Sequence, residues 1–495
     1  MAQPLDLVLI NPGARASNYQ ALGRELAAVE PPLWVGVLAA NARKYGYHVQ
    51  ILDADAWELT PQDVGRQIAA LGPRLAVVVV FGANPSASTQ KMGIAGETVR
   101  AIRQQAADVK IMLAGLHVSA LPERTLREED VDFVCQGEGP LTIRPLLDRL
   151  RSGSTDYAQV PGLWYRQDGQ IRSTSWAPMI QDLEGELPGG AWDLLPMDKY
   201  RAHNWHCLDH IHQRSPYAVL YTSLGCPFHC HFCCINALFE KHSIRYRDMA
   251  GVMAEIDLLV QKYGVKNIKI LDEMFVFKRS RVLEFCEALI PRGYDLNFWA
   301  YARVDTVDPE LLAKLRQAGV RWLCYGFESA SDKVRKGVRK GFSDDVMHRA
   351  IRWTREAGIY IIANYMVGLP DDDHGTMQQT LDEAKAYNFE FFNIYSAMAY
   401  PGSKLFDQAV AEGWRLPDTW DGYAQLSPRT LPLPTHHLSA AEVLAFRDRA
   451  FREYFDRPEY FRMIREKFGP DAEAHIHQML ADAPQRDLLA AASGS

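Results

Sequence analysis

Cys226, Cys230 and Cys233 stand at the spacing C-x3-C-x2-C, directly after the apolar run Tyr217 to Tyr221. Thiolates from so short a stretch can close on one face of a metal centre, and thiolate ligation is how iron–sulfur clusters are held. On a four-iron cluster three ligands leave one iron open, where a small chelating molecule could bind and take an electron. Two other readings use the same residues. A structural zinc site needs a fourth ligand and usually draws on a distant second pair, for which only His229 and His231 stand close by. The third reading is a chance run of buried thiols.

With the aromatic Phe232 before the last cysteine, the motif resembles the CxxxCxφC signature of radical S-adenosylmethionine enzymes. That resemblance favours the open cluster and implies Cys226, Cys230 and Cys233 as its ligands. A fourth ligand would block the open iron, so Cys234 is read as packing, as are Cys286 in an apolar helix and Cys324 in a strand. Gly225 lets the chain turn sharply into the loop.

Beyond the cysteines a strand and a helix alternate about six times, with strands read at 218–222, 268–271, 296–301, 322–326, 360–367 and 391–396. Asp308, Pro309 and Glu310 make a cap, a proline at the first helical position and an acid in the first turn. Ser343 opens the helix that Gly358 ends. Six parallel repeats make a partial, TIM-like barrel; the tail after residue 405 lacks the two further units of a closed one. Catalytic groups in such barrels sit at the carboxyl ends of strands, which here carry Asp272 and Glu273, Arg303, Glu328 and Ser329, and Gly368. By resemblance Glu328 and Ser329 contact the ribose or methionine part of S-adenosylmethionine, Arg303 lies near its carboxylate, Phe232 flanks it, and Gly368 lets the strand pass close to adenine. Asp272, Glu273 and Cys207 are the candidates for a catalytic role. The basic residues Lys333, Arg335, Lys336, Arg339 and Lys340 read as a solvated face.

The first 150 residues have the pattern of a parallel sheet wrapped by helices, a Rossmann-like doubly wound domain. Strands read at 5–10, 48–52, 75–81, 110–114 and 133–135. Thr60 and Pro61 mark one helix start, and Pro31 and Pro32 another. Ligands in such sheets sit beyond the carboxyl ends. No G-x-G-x-x-G follows the first strand, so a dinucleotide is not supported. The order of Asn11-Pro12, the run Pro31 to Gly36, the turn Gly115 to His117, and Gln136 to Gly139 resembles a cobalamin-binding domain. It implies cobalamin contacts from Asn11, Pro12, Leu33, Gly82, Ser86, Gly115, His117, Gly137 and Glu138. The D-x-H-x-x-G motif of another cobalamin family is absent, so no histidine ligand to cobalt is expected in the loop Phe81 to Ser88. His117 reads as a turn or pocket residue.

Residues 151–213 are broken by glycines and read as a linker with a small hairpin. Its cluster of His203, His206, Cys207, His210 and His212 reads as polar side chains at the domain junction. The barrel is expected at 214–405 and a helical cap and tail at 406–495. Residues 417–437 read as a loop covering something, Ser439 and Glu442 as a capping box, and Tyr454, Phe455, Tyr460 and Phe461 as core against the barrel.

At 495 residues the chain needs two or three domains. Its eight cysteines do not form an evenly spaced framework, and no export signal or membrane span is read. A reducing cytoplasm is expected. A net charge of −7 disfavours nucleic acid as a partner. The family resemblance implies an enzyme using a 4Fe-4S cluster, S-adenosylmethionine and cobalamin, with an external electron donor such as flavodoxin or ferredoxin. It would methylate an unactivated carbon or phosphorus of a small metabolite. The alternatives are a cyclase or rearrangement enzyme, and a non-enzymatic redox sensor. A methylthiotransferase is disfavoured, since those enzymes place three cysteines in the N-terminal domain and this one offers Cys135.

Overall fold

The computed structural model describes residues 5–20, 27–82, 84–239 and 241–493. The first sheet holds β1 (Leu7–Asn11), β2 (Val49–Asp53), β3 (Leu75–Val80), β4 (Lys110–Gly115), β5 (Phe133–Cys135), β6 (Leu163–Gln167) and β7 (Gln170–Ser173). They lie in the order β2-β1-β3-β4-β5-β6-β7, the first five parallel. Strand β3 is apolar throughout because helices cover both faces. Leu75, Val77 and Val79 enter one core, and Ala76, Val78 and Val80 the other. The helix Pro61–Leu71 starts where expected: Thr60 and Asp63 cap each other reciprocally, worth about 1 kcal/mol.

The hairpin expected in the linker is present, but it belongs to this sheet. Strand β6 pairs antiparallel with β5, and β7 with β6. The sheet therefore runs past residue 150 to Ser173, and the hairpin covers the edge of β5, which would otherwise stand open. Between β1 and β3 the order of strands reverses, and doubly wound sheets bind ligands outside such a point.

The second sheet is all parallel and runs in chain order from β8 (Tyr217–Leu220) to β15. The two-residue strands β9 (Ser223–Leu224) and β10 (Arg245–Tyr246) pair antiparallel and close the base of the cysteine loop. The remaining strands are β11 (Asn267–Ile270), β12 (Asn297–Ala302), β13 (Val320–Glu328), β14 (Tyr360–Val367) and β15 (Phe391–Ser396). Strands β8 and β15 stand at opposite edges of the sheet, so the barrel is the partial one expected. The C-terminal helices Ala440–Phe455 and Pro458–Phe468 shield the β15 edge. The Tyr454 hydroxyl donates to the Phe389 carbonyl at 2.8 Å and that of Tyr460 to Glu390 at 2.9 Å. Tyr454, Phe455 and Tyr460 are fully buried, each burial worth roughly 1.5–3 kcal/mol. No helix among the described residues is long and apolar enough to cross a membrane.

Gly368, expected beside adenine, has a packing role of its own. It has φ of 79°, and a Cβ there would overlap the Val443 side chain, so the missing side chain seats the C-terminal helix. Gly368→Ala is expected to lower stability by about 1–3 kcal/mol through strain and overpacking. Urea unfolding measures this, and an unshifted midpoint would show that the helix does not depend on that contact.

Candidate active site

The cysteine loop is anchored before its first cysteine. Asp272, just past β11 and 1% exposed, accepts hydrogen bonds from the Thr222 amide, the Thr222 hydroxyl and the Ser223 hydroxyl, each at 2.6 Å. Glu273 accepts from the Gly225 amide at 3.0 Å. Gly225 has φ of 93°, and a Cβ there would overlap the Ser243 carbonyl. Further on, the His231 amide donates to Val338 at 3.0 Å, and His231 accepts from the Leu405 amide at 2.8 Å. Asp272, a candidate for a catalytic role, is thus engaged in loop geometry and lies outside the lining of the cavity described next.

A cavity of about 540 Å³ opens at the carboxyl ends of the barrel strands. Cys226, Cys230 and Cys233 line it, with Phe232, Glu273, Arg303 and Glu328. The N-terminal domain contributes Trp34, Phe81, Gly82 and Leu116, the Trp34 and Phe81 rings stacking at 4.7 Å. An adjoining pocket of about 110 Å³ reaches the β1 and β3 ends and is lined by Asn11, Leu33, Gly82 and Lys91. The cavity therefore joins the cysteine loop to the switch point of the first sheet.

Burial pushes the Cys226 thiol up to about 11 and Cys233 well above the ordinary thiol value, and repulsion among the cysteines adds to both. A cationic metal centre offsets both effects and lets such thiols ionise. A cluster spreads its ligands over several irons, which suits three thiols on one loop, whereas a closed zinc site needs a fourth ligand. Cys234 is 2% exposed and packs in the core, and it also borders the cavity beside Cys233.

Three barrel residues are held in place for this cavity. Arg303 is pinned to Asp305 by two contacts of 2.9 Å and lies 4.0 Å over the Phe228 ring. Glu328 sits at a register shift of β13 with φ of 65°, a bulge geometry that re-aims a side chain. Its carboxylate accepts from Lys340 at 2.9 Å, and Gly326 leaves it room. Lys340 and Arg335 are buried, which corrects the expectation of a wholly solvated basic face.

Other expected contacts fall away. Ser329 is fully buried, and its hydroxyl faces Thr380 at 3.2 Å instead of the cavity. Cys207 is 2% exposed within the core and lies outside the cavity lining. On the first sheet, Asn11, Leu33 and Gly82 line the pockets, whereas Pro12, Gly115, His117, Gly137 and Glu138 do not. A Cβ on Gly115 would overlap the Val80 carbonyl. His117 lies under Trp420, 4.4 Å between ring centres, with its Nδ1 3.2 Å from Thr89; burial drives its pKa down to about 3. The Gly137 amide is spent on Ser119, and Glu138 is bound by Arg245 at 2.7 Å and by the Ile180 amide at 2.8 Å. The Ser86 side chain lies outside the described residues.

Strand interiors add lining residues beyond those at the strand ends. Lys269, Trp299, Tyr301, Cys324, Asn364, Asn393 and Tyr395 also line the cavity. The signal was there: Trp299 and Tyr301, or Asn393 and Tyr395, recur at the two-residue period that puts side chains on one face of a strand. His203 from the linker also lines the cavity, while His206 is buried with its Nε2 2.9 Å from the Asn297 carbonyl. The expected covering loop contributes Gln425 and Leu426.

The B12 binding domain family matches residues 19–147, and the radical SAM superfamily matches residues 220–384. The chain thus carries a B12 binding domain followed by a radical SAM domain, the pairing found in the cobalamin-dependent radical S-adenosylmethionine enzymes it resembles, and that pairing uses cobalamin, S-adenosylmethionine and a 4Fe-4S cluster. Among its relatives is an uncharacterised methyltransferase of Pyrococcus horikoshii, 28% identical over 440 residues, which are 89% of this chain and 91% of that one. Another is the anaerobic magnesium-protoporphyrin IX monomethyl ester cyclase of Rubrivivax gelatinosus, 28% identical over 79% of this chain and 68% of that one. The fold is similar to that of the radical S-adenosylmethionine methyltransferase TsrM of Kitasatospora setae, solved with cobalamin and a 4Fe-4S cluster. The two agree with a TM-score of 0.69 and 17% identity over 93% of this chain and 90% of that one.

Burial raises the Glu273 pKa to about 7, its hydrogen bonds opposing the shift. The neutral acid is thus the form the fold favours. Its contribution to stability is full below about 4.5, its ordinary value, and is lost as pH rises through about 7. In the cluster-free protein Glu273→Gln should remove this loss, gaining about 1–3 kcal/mol over the wild type above pH ~7. Urea midpoints on both sides of neutrality check this; parallel pH profiles would contradict it.

Proposed function

We propose that this chain is a cobalamin-dependent radical methyltransferase acting on an unactivated carbon, or less commonly phosphorus, of a small metabolite. The observation that supports this most is the single cavity lined both by the cysteine loop and by the carboxyl ends of the first sheet. In this reading Cys226, Cys230 and Cys233 hold the cluster, and Phe232, Arg303 and Glu328 hold S-adenosylmethionine beside it. Asn11, Leu33, Trp34, Phe81 and Gly82 face the corrin. When bound, these cofactors supply a 5′-deoxyadenosyl radical from S-adenosylmethionine and a methyl group carried on cobalt.

The protein's own residues bind, orient and exclude water. Asp305 and Lys340 hold Arg303 and Glu328 in one geometry before any ligand arrives, so less ordering remains for binding to cost. The stacked Trp34 and Phe81 give a flat apolar wall suited to a planar ring system. Trp299, Tyr301 and Tyr395 enclose the space between, where hydrogen abstraction needs water kept out. An external electron donor such as flavodoxin or ferredoxin and a cytoplasmic setting complete the proposal.

Anaerobic reconstitution with iron, sulfide and cobalamin, followed by turnover with S-adenosylmethionine bearing a deuterated methyl group, tests it. The expected products are 5′-deoxyadenosine and a substrate carrying the deuterated methyl. A product formed without that label favours the cyclase, and no cleavage at all favours a redox sensor. Replacing Cys226, Cys230 and Cys233 by alanine should abolish iron loading and cleavage together; cleavage that survives would refute the ligand assignment.

A further inference from the structure

One wall of the cavity carries positive charge that the protein balances only in part. Arg447, on the helix Ala440–Phe455, is 7% exposed and lines the cavity. Its Nε donates to the Ile394 carbonyl at 3.0 Å and its Nη1 to Asp448 at 2.9 Å. Asp448 is already bound by Arg486, whose Nε and Nη2 donate to its two oxygens at 2.8 Å each. Two guanidinium groups thus share one carboxylate. The other cavity cations have their own acids: Lys269 has Glu30, Lys340 has Glu328 and Arg303 has Asp305. A buried charge short of a counterion is costly, which favours an incoming anion.

A second observation points to the same place. Ser396, at the end of β15, is 2% exposed and lines the cavity, and its hydroxyl has no hydrogen-bond partner. Its backbone amide and carbonyl are both occupied by the Gln425 side chain at 2.9 Å, which fixes the residue and leaves the buried hydroxyl unpartnered. Buried hydroxyls are normally satisfied, so this one calls for a ligand. Tyr395, Tyr400 and Phe451 supply aromatic surface around it.

We propose that Arg447 and Ser396 form a subsite for one carboxylate of the substrate, whose remaining body is apolar and aromatic or similarly flat. One surplus charge matches a carboxylate monoanion better than a phosphate dianion. With Nε on the Ile394 carbonyl and Nη1 on Asp448, the Nη2 group of Arg447 is the one placed to make a charge-assisted bond to a carboxylate oxygen. The inference rests on the reading above that a small substrate enters this cavity.

Equilibrium dialysis of the reconstituted holoenzyme with phenylacetate and with phenylacetamide tests the subsite directly. The wild type should bind the carboxylate roughly 10-fold more tightly than the amide, the size expected for a charge-assisted hydrogen bond. Arg447→Gln should erase that preference and Ser396→Ala should reduce it, with cluster absorbance unchanged. Should Arg447→Gln fail to load the cluster, Arg447→Lys and Ser396→Ala carry the test. Both should weaken phenylacetate and leave the amide unaffected. Equal binding of the two probes by the wild type, or an unchanged preference in the variants, overturns the assignment. Binding is read without turnover, so an intact preference with no methyl transfer would count only against the methyltransferase reading.

Discussion

The Asp272 carboxylate gathers the Thr222 amide and two hydroxyls at the point where β8 gives way to the cysteine loop. With its neighbour Glu273 holding the Gly225 amide, it sets the direction in which the loop leaves the sheet. Everything downstream inherits that direction. The short β9–β10 ladder closes the base of the loop, and backbone bonds from Val338 and Leu405 fix its middle. A buried carboxylate is costly by itself, and here three donors offset part of the cost, burial still raising the Asp272 pKa. The same three bonds turn Asp272 toward the loop and away from the cavity lining.

The second constraint is the meeting of two sheets. Each is parallel where it faces the cavity, and parallel strands bring all their carboxyl ends to one side. Buried and half-buried ion pairs cross the junction, including Glu138 with Arg245 and Glu30 with Lys269. Such pairs specify geometry more than they add stability. They consume side chains that would otherwise have served a ligand, which is why Glu138 holds the domains together and does not face the cavity.

Much of the fold was legible in the sequence. Strands at 360–367 and 391–396 and the helix starts at Thr60, Asp308, Ser343 and Ser439 stand where pattern and capping chemistry place them. Those signals act over a few residues, so local sequence suffices. The site was legible in part. The cysteines, Phe232, Arg303, Glu328, Asn11, Leu33 and Gly82 all reach the cavities. Ser329, Gly368, His117 and Cys207 do not, because their surroundings come from Thr380, Val443, Trp420 and the barrel core, segments remote in the chain.

By itself the sequence determined the cysteine spacing, the alternation of strands and helices, and the chemistry available at the strand ends. Tertiary structure alone decided which of those groups share a cavity, and it placed Arg447 and Ser396 together on one wall. The reason is physical. Spacing along the chain controls only neighbours a few residues apart. The partner that neutralises, buries or displaces a side chain is chosen when distant elements pack, as Asp448 shows by accepting both Arg447 and Arg486.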